Sequence, residues 1–105
     1  MSKVYGRVSD IMRTGKISAK GQITDLSQNF KLKNGIPFSL YLRPKTAIDE
    51  ADRIIHCRLY QESETSPVPV GFSDWQPLAI MELAADTALL DECDVFWGAG
   101  EEAIP

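Results

Sequence analysis

Apolar and polar residues alternate along residues 53–60, which is the clearest pattern in the chain. Because successive side chains of a β-strand point to opposite faces, this alternation predicts a strand with one buried face. The predicted core face is formed by Ile55, Cys57 and Leu59, and the opposite face by Ile54, His56, Arg58 and Tyr60.

A second alternating pattern begins at Phe30 and is interrupted by an Asn-Gly pair, which is typical of a β-hairpin turn. A two-residue loop would place Phe30 and Phe38 on opposite faces. A three-residue loop, 34–36, collects the apolar side chains on one face, and we predict this longer loop. The pairs that it predicts are Leu32–Phe38 and Phe30–Leu40.

Residues 67–71 have the sequence PVPVG. Because proline has no amide hydrogen to donate, this extended segment is suited to an edge strand or a linker. We expect it to cover a sheet edge.

Residues 78–92 support two interpretations. Their strong helix formers and helical spacing favour a helix. The alternative has a strand at 75–83, a connection at 84–94 and a last strand at 95–97. We favour strands, because of a resemblance described below, and leave open one short helix between residues 78 and 93.

Together these patterns predict an all-β fold, a small antiparallel β-sandwich or barrel-like domain of about six to eight short strands. The 105 residues fit one globular domain, which we place at residues 28–105. Residues 1–27 are polar, with thinly spaced apolar positions and a turn predicted at 13–16. We interpret them as a basic N-terminal arm or a loose hairpin.

Charge is divided unevenly along the chain. Residues 1–33 hold seven basic and two acidic side chains, whereas residues 34–105 hold four basic and thirteen acidic ones. Opposite charge on two parts of a small domain favours association between copies, although both parts can also be ordinary solvated surface. The net charge of −4 argues against nucleic-acid binding, which depends on clustered Lys and Arg.

The side chains that could carry chemistry do not form a recognisable site. His56 and Cys57 are adjacent, so on a strand they point to opposite faces and cannot form a Cys–His pair. Cys57, Cys93 and His56 offer three zinc ligands at most, fewer than the four of a structural site. Residues 14–16 (TGK) are similar to part of a phosphate loop, but Asp10 stands where its first glycine belongs. We therefore expect no enzyme activity, no cofactor and no metal.

Residues 75–80 (WQPLAI) and 94–100 (DVFWGAG) resemble the ending of small accessory structural proteins of tailed phages and prophages. The resemblance covers about the last thirty residues. It implies a short β-sandwich or barrel-like domain that decorates or joins virion or tail parts without catalysis, and that forms a homo-oligomer.

These observations predict a structural or assembly protein whose partners are copies of itself and other structural proteins. The candidate interface residues are Arg7, Arg13, Lys16, Lys20, Trp75 and Trp97. The alternative is a small sugar- or peptide-binding module that uses exposed aromatic rings, and Trp75 is the best candidate for exposure because its neighbours are typical of a turn.

We expect neither a small-molecule ligand nor a membrane partner. No apolar run approaches the roughly 20 residues that span a bilayer, and the first residues do not have the pattern of a signal peptide. The expected location is the cytoplasm or an assembled virion-like particle.

Overall fold

The structure, a computed structural model, describes residues 19–100 of the chain. The elements in this range are β1 (Ala19–Ile23), a 3-10 turn (Lys33–Gly35), β2 (Ser39–Pro44), β3 (Asp52–Leu59), β4 (Ser66–Gly71), β5 (Ile80–Leu83), α1 (Thr87–Glu92) and β6 (Cys93–Ala99). They form two antiparallel three-stranded sheets, ordered β1-β6-β2 and β4-β3-β5. The predicted all-β fold is confirmed, and α1 lies inside the interval left open for a short helix.

The core lies where the alternating apolar residues of both sheets meet. Leu40, Leu42 and Val95 of one sheet are fully buried, as are Ile55 and Cys57 of the other. Burial of side chains of this size stabilises a fold by about 1.5–3 kcal/mol each, so alternation decides which face of each strand is inward.

The predicted faces of β3 are confirmed. Leu59 packs against the buried core cluster on the same side as Ile55 and Cys57. On the opposite face, Ile54 is 46% exposed and His56 is also exposed. The predicted edge role of residues 67–71 is confirmed as well, since β4 forms an outer strand of its sheet.

The predicted hairpin that pairs Leu32 with Phe38 and Phe30 with Leu40 is wrong. Phe30 pairs with Leu83 and Phe38 pairs with Ile80, so both ends of the segment join β5 instead of each other. Gly35 adopts the positive φ of 64° that the turn chemistry requires. The position of the turn was therefore predicted correctly. The segments on either side of it do not pair with each other, because each pairs with β5, which is distant in sequence.

A bulge in β5 makes this arrangement possible. The register of β5 against β3 shifts so that Ile80 and Leu83, three residues apart, pair with Leu59 and Cys57. In a regular strand such residues would point to opposite faces, but here both are fully buried. The bridge between Phe38 and Ile80 then connects the two sheets.

The interpretation of residues 78–92 as strands is confirmed in part. The strand is shorter than predicted, the connection contains α1, and the last strand is longer than 95–97. The Asp86 carboxylate caps α1 by accepting a hydrogen bond from the Leu89 amide (3.2 Å). Leu89 is fully buried, which anchors the helix, and β6 begins directly after it.

Residues 1–18, including the predicted turn at 13–16, lie outside the described residues. The described part of the predicted arm, residues 19–27, belongs to the body of the domain. It contains β1, which pairs along its length with β6, and it contributes Ile23 and Leu26 to the core. Between residues 19 and 100, no helix has the length and apolar character needed to cross a bilayer.

Candidate functional site

Four neighbouring chain segments each place one residue in a row across the outward face of the β1-β6-β2 sheet. Gln22 pairs with Phe96, and Phe96 pairs with Tyr41 on β2. Trp75 continues the row through a bridge to Tyr41. Strand alternation explains the row, because the next residues along the strands, such as Val95 and Leu42, point into the core.

The three aromatic rings of this row are in contact with one another. The ring centroids of Tyr41 and Trp75 are 5.5 Å apart, and those of Tyr41 and Phe96 are 6.2 Å apart. Both pairs have the edge-to-face geometry that aromatic quadrupoles favour. All three rings are half-buried, so each keeps part of its surface available to another molecule.

These rings line a groove of about 430 Å³, which we call the aromatic groove. Its lining consists of Lys20, Gly21, Gln22, Tyr41, Trp75 and Phe96. This volume is in the range of protein ligand sites, about 300–1,000 Å³. Among the described lining residues, Lys20 and Gln22 have polar side chains, and the rings of Tyr41 and Trp75 each carry one polar group, so most of the groove wall is apolar.

An ion pair lies beside Phe96, at one side of the aromatic row. The Arg43 guanidinium lies 5.4 Å from the Phe96 ring centroid and bonds the Asp94 carboxylate at 2.8 Å. On the other side of the row the sheet carries Lys20, which pairs with Gly98. Lys20 lines the groove and Arg43 does not, so the groove extends from the aromatic row toward Lys20 and the end of β6.

Gln76 holds Trp75 in the row. Its side-chain amide donates to the carbonyl oxygens of Gly71 (2.9 Å) and Asp74 (3.0 Å) and accepts from the Gly71 amide. Its backbone amide donates to the Leu40 carbonyl of β2. Gln76 is almost completely buried, and these bonds satisfy a polar group that would be costly to leave unpaired. The loop that carries Trp75 is therefore fixed against β2.

Of the predicted interface residues, the structure brings Lys20 and Trp75 together at the aromatic groove. Trp97 lies on the other face of the same sheet, where its indole packs over Gly21. Arg7, Arg13 and Lys16 lie outside the described residues.

Sequence reasoning missed Gln22, Phe96 and Gln76 as site residues. Alternation along 93–99 could have placed Phe96 on the outward face. Nothing in the local pattern predicts that Gln76 binds the Gly71 backbone.

The cysteines are buried and sit apart from the exposed histidine. Cys57 is fully buried whereas His56 points to solvent, which confirms their predicted separation on opposite faces. Burial, with a smaller contribution from Glu62, raises the pKa of the Cys57 thiol to about 11. Burial also raises the pKa of Cys93, and both thiols are protonated near neutral pH.

Acidic residues gather around α1, and none of them is among the described residues that line the aromatic groove. Arg53 of β3 bonds the Asp86 carboxylate at one end of the helix (3.1 Å) and the Glu92 carboxylate at the other (2.9 Å). Asp52 and Asp91 are exposed and adjoin this network in sequence. We call these four carboxylates, Asp52, Asp86, Asp91 and Glu92, the acidic face. In the part of the chain from 19 to 100, no group of three or more His, Cys, Asp or Glu side chains is placed to hold a metal ion.

No protein-family model, curated protein or solved structure matches this chain.

Proposed function

We propose that this protein is a non-enzymatic structural protein that self-associates and that the aromatic groove is one of its contact surfaces. The observation that supports this function is the row of three half-buried rings on an outward sheet face. Aromatic anchors in apolar depressions are the residues that contribute most to protein–protein binding.

The lining of the aromatic groove favours a protein segment over a polar ligand. A sugar needs several converging donors and acceptors, because its hydroxyl groups lose their water on binding. Within the described lining such groups are few, namely the side-chain ends of Lys20 and Gln22, the Tyr41 hydroxyl and the Trp75 indole N–H, and the rest of the wall is apolar. Apolar side chains of another chain match the three rings better.

The charge division supplies a second contribution to association. Lys20, Lys31 and Lys33 are exposed, as are Asp52, Asp91 and Glu92 of the acidic face. In the proposed assembly the basic N-terminal third of one copy meets the acidic face of its neighbour. Complementary charges steer such an encounter and fix its register.

The more specific form of the proposal is an accessory subunit of a phage or prophage virion. It rests on the resemblance of the last thirty residues alone. Mass spectrometry of purified particles from a host that carries the gene tests it, and absence of the protein from every particle would contradict it.

Light scattering tests the self-association directly. At an ionic strength of about 0.01 M, where charges interact over about 30 Å, we expect a mass of at least twice the 11.7 kDa of the chain. Salt near 1 M shortens that range to about 3 Å and should lower the mass. A monomer at low ionic strength would show that the proposal is wrong.

A peptide- or sugar-binding module is the second candidate, and the contact between Trp75 and Tyr41 favours it, because such rings offer a stacking surface. This function predicts that the Trp75 fluorescence of a monomer shifts when oligosaccharides or peptides are added. Trp75→Ala should abolish the shift. An unchanged spectrum across the panel would exclude this candidate.

A further inference from the structure

We propose that the aromatic groove of one copy binds residues 101–105 of a second copy. Ile104 would pack against the rings of Tyr41, Trp75 and Phe96, and the carboxylates of Glu101 and Glu102 would lie near Lys20. The inference rests on the proposed self-association and names the occupant of one of its contact surfaces.

Charge complementarity selects this occupant. Two segments of the chain lie outside the described residues, and residues 1–18 hold four basic and one acidic side chain. Their positive charge would be placed against Lys20, the charged residue among those that line the groove. Residues 101–105, with the sequence EEAIP, carry two carboxylates next to apolar side chains and match a largely apolar groove with one cation.

The position of β6 supports the same choice. Ala99, near the end of β6, pairs with Ala19, and the next pair is Gly98 with Lys20. The chain therefore leaves the sheet at the end where Lys20 lines the aromatic groove. Two-fold symmetry can bring the same end of this sheet in two copies together.

The direction of β6 favours a second copy over the same chain. From Phe96 the strand runs toward Ala99, away from the aromatic row. To enter its own groove the chain would have to reverse, and a turn takes about four residues. Five residues span at most about 17 Å when extended, so little would remain to fill the groove. Exchange between two copies needs no reversal, and it closes the assembly because each copy gives one segment and accepts one.

Substitutions that reverse the charges on each side of the proposed contact, made in the full chain, test it. Lys20→Glu, and separately the pair Glu101→Lys with Glu102→Lys, should each weaken the dimer about tenfold in light-scattering titrations at low salt. All three substitutions together should restore the wild-type dissociation constant to within about threefold, because the opposite charges face each other again. Glu64→Lys, an exposed loop change, is the control for net charge and should leave the dimer unchanged.

Ile104→Asp tests the apolar part of the contact and should weaken the dimer whether or not the charges are exchanged. Either of two results would overturn the inference but leave the self-association standing. One is a dissociation constant that neither charge reversal changes. The other is a triple variant whose dimer is as weak as those of the Lys20 variant and the Glu101/Glu102 variant. A wild-type chain that is monomeric throughout would overturn the proposed function as well.

Discussion

The indole of Trp97 lies directly over Gly21 on the neighbouring strand. A Cβ atom built on Gly21 would be 2.7 Å from Nε1 of Trp97 and 3.0 Å from Cε2. The two residues pair across β1 and β6, so a glycine in this strand lets a large ring cover the inner face of the sheet. Gly21 is therefore required by close packing and not by a turn.

Gly21→Ala should destabilise the domain. The added methyl group would overlap a rigid ring, and overpacking of this kind costs about 1–3 kcal/mol of unfolding free energy. Urea unfolding measures the loss. Gly71→Ala is the matched control, because its Cβ would be 3.9 Å from the nearest atom, the Ala51 carbonyl oxygen. We expect the control to change stability by less than about 0.5 kcal/mol, and equal losses in both variants would contradict the packing argument.

Arg53→Met should destabilise the connection between β3 and α1. The bond to Glu92, and then that to Asp86, raises the pKa of the Arg53 guanidinium, whose side chain is 20% exposed. Loss of the two carboxylate bonds, and of the bond that Arg53 donates to the Ile54 carbonyl, should lower the free energy of unfolding at this partly exposed site by about 1 kcal/mol, measured with heat or urea.

Arg43→Met is the control for Arg53, since Arg43 also pairs with one carboxylate but is 60% exposed. Arg43→Met should lower the free energy of unfolding by about 0.5 kcal/mol or less. A larger effect at Arg43 than at Arg53 would show that exposure does not decide the strength of these pairs.

Gln76→Leu should destabilise the loop that carries Trp75. The leucine has a similar size but leaves the Gly71 amide and carbonyl without the bonds that the glutamine amide supplies. Unpaired buried groups cost about 1–3 kcal/mol, and the emission of Trp75 should shift to longer wavelength as the ring gains water contact. Gln22→Leu, at an exposed position, should change neither stability nor emission.

The raised pKa of the Cys57 thiol predicts that the domain loses stability at alkaline pH. Its pKa rises from 9.0 to about 11 on folding, so the unfolded chain releases its proton first as pH increases. The stabilising contribution of the protonated thiol is complete below pH 9 and disappears as pH rises through about 11. Between pH 9 and about pH 11, the free energy of unfolding measured with urea should fall more steeply for the wild type than for Cys57→Ala. Identical slopes would show that Cys57 is not the titrating group.

Local alternation was sufficient to predict some elements of this fold and insufficient for others. The faces of β3 follow from period-two burial, because Ile55 and Cys57 need only be apolar and two residues apart. The partner of Phe30 could not be predicted, since Leu83 is more than fifty residues away and becomes available only through the bulge in β5. Local turn chemistry suggested a hairpin that long-range edge pairing replaced.

Local sequence patterns also predicted one feature of the candidate site and not the others. Trp75 was predicted to be exposed from its turn-like neighbours, and it is half-buried at the groove. Its position beside Tyr41 and Phe96 depends on strand order, because β6 lies between β1 and β2 although it comes last in the chain. This strand order cannot be predicted from the residues of any one segment. The groove could therefore be found only once the three strands were placed side by side.

Light scattering of two aromatic variants at low ionic strength tests most directly the claim that self-association uses the aromatic groove. Trp75→Ala removes the end of the aromatic row, whereas Tyr60→Ala removes a ring that is 44% exposed outside the row. With circular dichroism confirming that both variants fold, we expect Trp75→Ala to be monomeric and Tyr60→Ala to have the mass of the wild type. A Trp75→Ala protein as large as the wild type would contradict the account.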